Sequence, residues 1–135
     1  MLKIKTARRA VALSLVLTVI IAILAGCGNK VEATEKGISI ARSAIKVADD
    51  YLDNNISGDK ADEKLEELQK KMEYVDSMPR DTDEQNDQYQ ADFLIQCDLV
   101  LLSHNIMFDK YGDNKYDDII EVRNSLAERI GEKKR

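Results

Sequence analysis

The chain has 135 residues, with 20 lysines and arginines against 25 aspartates and glutamates, a formal net charge of −5 and no tryptophan. That length holds one domain with a modest core, and the acidic balance argues against nucleic acid or an anionic lipid surface as its binding partner. Two cysteines and one histidine exclude the multi-cysteine zinc motifs.

The first element is an export signal. Lys3, Lys5, Arg8 and Arg9 precede any acid, Ala10 to Leu24 are apolar apart from Ser14 and Thr18, and small residues follow. The apolar part is shorter than the roughly 20 residues that a helix needs to span hydrocarbon. It ends in Leu24-Ala25-Gly26-Cys27. This resembles the lipobox of bacterial lipoprotein precursors, in which the cysteine thiol receives a diacylglyceryl group and the chain is cut just before it. The resemblance implies that residues 1 to 26 are a signal peptide, that Cys27 is the lipidated first residue of the mature chain, and that the protein sits on the extracytoplasmic face of the cell membrane. It covers about 28 residues, and the family of the remainder is not recognised. Two acyl chains would hold far more firmly than one myristoyl group, at about 0.8 kcal/mol per buried methylene. Cleavage would leave 16 cationic side chains against 25 acidic ones, a formal −9. With Cys27 lipidated, Cys97 would have no intramolecular disulfide partner.

Residues 27 to 36 are polar and aperiodic after the cysteine and read as a short tether, spanning about 15 to 20 Å as a flexible coil. From 37 to 135 every segment reads helical, with Pro79 the one proline and no alternating strand pattern. A first helix, about 34 to 54, carries the row Ile38, Ala41, Ile45, Ala48, Leu52 beside the row Ile40, Ala44, Val47, Tyr51, so it touches two neighbours. A second, about 59 to 78, follows the cap candidates Ser57 and Asp59. It has one narrow stripe, Ala61, Leu65, Leu68, Met72 and Val75, and stops at Pro79. A third, about 83 to 111, opens on Thr82 and Gln85 at capping-box spacing. A fourth, about 114 to 131, offers Tyr116, Ile119, Ile120, Leu126, Ala127 and Ile130. Four helices with short connections predict an all-α, up-and-down bundle.

The third helix is apolar on two sides. Phe93, Leu94, Cys97, Val100, Leu101, Met107, Phe108 and Tyr111 form a wide face, and Ile95, Leu99, Leu102 and Ile106 form a separate row nearly opposite. The wide face is expected in the core, with His104 as a hydrogen-bonded core histidine within it. The narrow row is expected to be an exposed interaction surface, because a minimal bundle need not bury both; the alternative is a central helix, with the first and last helices on one side and the second on the other.

Catalytic signatures are lacking: there is no glycine-rich phosphate loop, no nucleophile elbow and no HExxH. Residues 109 to 120 resemble an eroded EF-hand loop. Asp109, Asp113 and Asp117 match, but Tyr111 and Ile120 replace two ligands, so the expected reading is a helix stop at Gly112 and a cap at Asp113 or Asn114. No metal, cofactor or catalytic residue is assigned. The sequence therefore suggests a membrane-anchored helical lipoprotein that acts as a non-enzymatic interaction module, with an envelope protein or a second copy as partner. The alternative is a bundle that binds a small molecule among His104, Arg123 and Asp98.

Overall fold

The computed structural model describes residues 32–135. The signal peptide, Cys27 and tether residues 28–31 lie outside them. Helix α1 (Glu35–Leu52) begins where the Thr34 hydroxyl accepts the Gly37 amide at 3.1 Å, with Glu35 in the first turn to suit the helix dipole. Residues 33 to 36, assigned to the tether from composition, thus belong to the bundle, and Ala33 is buried. Asn54, at φ 58°, takes the left-handed position that ends α1, and the Asn55 amide reaches back to the Asp50 carbonyl.

Ser57 caps α2 (Gly58–Lys71), whose stripe Ala61, Leu65 and Leu68 is buried. The helix is shorter than expected from periodicity. It tightens into a 3₁₀ turn, Glu73–Ser77, so that Met72 and Val75 continue the stripe into the core before Pro79. The expected capping box forms at α3 (Asp83–Lys110): the Thr82 hydroxyl accepts the Gln85 amide, while Gln85 Oε1 accepts the Thr82 amide. At about 1.5 Å per residue, α3 is on the order of 40 Å long and outruns its neighbours. Gly112, at φ +97°, closes it, and α4 (Tyr116–Arg129) ends in the same way at Gly131, φ +72°.

The architecture is a small all-α bundle. In order round the bundle, α1 packs on α2, α2 on α3, α3 on α4 and α4 on α1, while α1 and α3 also meet across the diagonal. Thr34 bonds to Asp92 and Tyr51 to Asp109, both 58 residues apart, so α1 and α3 run parallel and in register. The core consists of aliphatic side chains around small residues of α1, chiefly Ala41, Ala44 and Ala48. No strand occurs among the described residues.

The two apolar sides of α3 are placed opposite to the expectation. Ile95, Leu99, Leu102 and Ile106 are all fully buried, so the row expected to be an interaction surface is the inner seam of the bundle. The wide face points outward. Small residues on α1 bring the helices close, and that spacing suits one file of aliphatic side chains rather than a broad aromatic face.

Candidate functional site

Carboxylates bracket the inner row of α3. Asp92 is fully buried, and accepts the Thr34 amide at 2.9 Å, the Thr34 hydroxyl at 2.6 Å and the Tyr74 hydroxyl at 2.7 Å. One side chain thereby pins the start of α1 and the 3₁₀ turn to α3. Burial, reinforced by donation to Asp92, pushes the Tyr74 phenol up to about 12. At the other end, Asp109 accepts the Tyr51 hydroxyl at 2.6 Å and the Lys115 amide at 2.8 Å. Burial, then that bond, raises Tyr51 to about 12 as well.

Asp109 also settles how the EF-hand-like loop is held. Its two oxygens serve Tyr51 and the backbone of Lys115, so the start of α4 is held by this distant carboxylate rather than by a side chain of Asp113 or Asn114. Asn114 takes a left-handed φ of 47° instead. Among the described residues, no group of three or more His, Cys, Asp and Glu side chains is placed to hold a metal ion.

The polar groups weighed for a small-molecule pocket face different ways. Asp98 turns toward α4 and accepts Ser125 at 2.9 Å and Arg129 at 2.6 Å. Arg123 turns toward α1 and donates to both oxygens of Asp49, at 3.0 and 2.9 Å. His104 is exposed, edge-on to the Phe108 ring at 4.5 Å between centroids, and is not the core histidine expected. Cys97, two turns away, is half-buried, and desolvation pushes its thiol up, away from the reactive thiolate. No buried side-chain polar atom among the described residues lacks a hydrogen-bond partner. A groove between α1 and α2 has Ser43, Lys46, Asp50, Lys64 and Glu67 in its walls, but it is shallow and open. The basic C-terminal residues fold back on the bundle: Arg135 bonds to Asp53, and the Lys133 carbonyl accepts Arg123.

What remains is the outward face of α3. Phe93 is 42% exposed, Val100 52%, Leu101 50% and Tyr111 73%, with Met107 and Phe108 exposed beside them. Between Phe93 and Phe108 the helix carries one acid, Asp98, and that side chain is turned inward. From Phe93 to Phe108 the face is therefore a largely apolar strip that includes His104 and bears no carboxylate or ammonium group, on a chain that is acidic elsewhere. The Lys110 ammonium lies over the Tyr111 ring at its far end. By length and composition α3 is the one described helix that could cross a membrane, but its inner seam, Asp92 and Asp98 are all engaged by the rest of the bundle.

Compared with known proteins, the chain matches no family model, no curated protein and no solved structure.

Proposed function

We propose that this protein is a lipid-anchored helical lipoprotein of the cell membrane, exposed on the extracytoplasmic face, that works as a non-enzymatic interaction module. Its docking surface is the outward face of α3, in place of Ile95, Leu99, Leu102 and Ile106. One observation carries the reading: a strip of half-exposed Phe, Val, Leu, Met and Tyr side chains runs along the longest helix of an otherwise charged domain. Exposed apolar strips of several hundred Å² mark contact surfaces. The lipobox-like Leu24-Ala25-Gly26-Cys27 supports the anchoring. It leaves six residues between Cys27 and the cap Thr34, a reach on the order of 25 Å fully extended, which keeps the bundle beside the membrane.

Expression of the full chain in a bacterium fed labelled palmitate tests the anchoring. Label should enter the wild type and be absent from Cys27→Ser, which should leave the membrane fraction. Equal labelling of both would end the lipoprotein reading.

A further inference from the structure

Along α3, Phe93, Cys97, Val100, His104, Met107 and Tyr111 succeed one another at steps of four, three, four, three and four residues. That is the heptad spacing at which one helix meshes with another over several turns. Leu94, Leu101 and Phe108 repeat every seven residues along one side of the seam and widen it. The seam lies outside the bundle, since the inner contacts of α3 are made by Ile95, Leu99, Leu102 and Ile106.

We propose that this seam pairs with the same seam of a second copy, as a parallel two-fold dimer with Cys97, Val100 and His104 at its axis. The parallel sense rests on the lipid-anchor reading of Cys27, whereas the pairing does not.

Area and charge both fit a second copy. Side chains of this size, exposed by 36 to 73%, present on the order of 500 Å² per copy, so pairing would cover about 1,000 Å², the lower bound for a specific interface. An acidic chain repels its own copies over most of its surface, yet from Phe93 to Phe108 this strip bears no carboxylate or ammonium, and on its α2 side stand the uncharged Gln96 and Ser103, the latter donating to Asp62. A membrane surface fits less well. A helix lying on lipid flanks its apolar side with free cations, whereas here the cations near the strip are engaged: Lys110 is paired with Asp59, Arg129 with Asp98, and Arg80 lies over the Tyr89 ring beside Phe93. The orientation follows from the tether. Thr34 is bonded to Asp92 at one end of the seam, so in a parallel pair both chains leave toward the same membrane. An antiparallel pair would place the two exits on the order of 30 Å apart along the seam.

The test is oxidation of the full chain in isolated bacterial membranes with copper phenanthroline, read on a non-reducing gel. Two Cys97 thiols facing each other would lose two protons and two electrons to the oxidant and join as a disulfide. The expected result is a dimer band that Cys97→Ser removes, that Val100→Cys restores in the Cys97→Ser background, and that Leu101→Asp weakens at least tenfold without releasing the chain from the membrane. Monomer with both reporters would overturn the proposal. So would linkage only between Cys97 and a Met107→Cys chain, which requires antiparallel packing, or labelling of the strip by a photoreactive lipid in place of cross-linking. A band that persists in Cys97→Ser and disappears only when Cys27 is also replaced would expose a free Cys27 thiol. It would overturn the anchor, and with it the parallel sense, while Leu101→Asp would still report on the pairing.

Discussion

Gly37 and Asp92 show how narrowly one contact is drawn. A Cβ at Gly37 would stand 2.5 Å from Asp92 Oδ1, the oxygen that accepts the Thr34 amide. Alanine in a helix interior is ordinarily favoured over glycine by about 1 kcal/mol. Here Gly37→Ala should instead destabilise by about 1–2 kcal/mol, because the carboxylate held by Thr34 and Tyr74 cannot move aside without losing bonds. Asp92→Ala should cost about 2–3 kcal/mol, and in that background Gly37→Ala should turn neutral or stabilising. Denaturant melts of the wild type, the two single variants and the double variant check this, and simple additivity would contradict it. The tyrosines give a pH dependence. Folding raises the Tyr51 and Tyr74 phenols from about 10 to about 12, so the folded state holds those protons more tightly. Their stabilising contribution is complete below pH 10 and is lost as pH rises through 12. Absorbance of the native chain at alkaline pH should show a late phenolate component that Tyr51→Phe and Tyr74→Phe each reduce, together with falling stability over the same range.

At the scale of elements, the helix ends are set by local chemistry. At the end of α3 the Asp113 amide reaches the Phe108 carbonyl and the Gly112 amide reaches Asp109, a pattern that requires the left-handed Gly112. Nothing lies within 4 Å of a Cβ placed at Gly112, so Gly112→Ala should cost only the backbone strain, about 1–2 kcal/mol in a thermal melt. Such ends are legible in sequence, as are Thr82 with Gln85, the apolar rows of α1 and α2, and hence the number and class of elements. The facing of α3 was not. Hydrophobic periodicity reports that two sides are apolar, and says nothing of which one finds neighbours. The signal that decides it is polar and non-local: Asp92 and Asp109 continue the narrow row at its own spacing, and each acquires a tyrosine only when α1 and the 3₁₀ turn fold against it. For the same reason Asp98 reads as a candidate pocket residue and becomes the partner of Arg129, and His104 reads as core because the face around it does.

For the whole molecule, the account joins a closed bundle, whose interior polar groups are satisfied from within, to one helix with a second seam turned outward. Among the described residues, the outward face of α3 is the place an otherwise acidic body offers for close apolar contact. The inner seam holds the fold, and losing a buried leucine there should cost about 2–5 kcal/mol; a change on the outer seam should leave the monomer intact. Leu101 and Leu102 are neighbours in sequence and lie on opposite seams, the first half-exposed and the second fully buried. The most direct measurement is therefore the thermal melt, by circular dichroism in detergent, of the full chain carrying Leu101→Asp or Leu102→Asp. The account predicts that Leu101→Asp melts within a few degrees of the wild type, whereas Leu102→Asp loses the cooperative transition. A folded Leu102→Asp beside an unfolded Leu101→Asp would contradict it, and would return the narrow row to the surface.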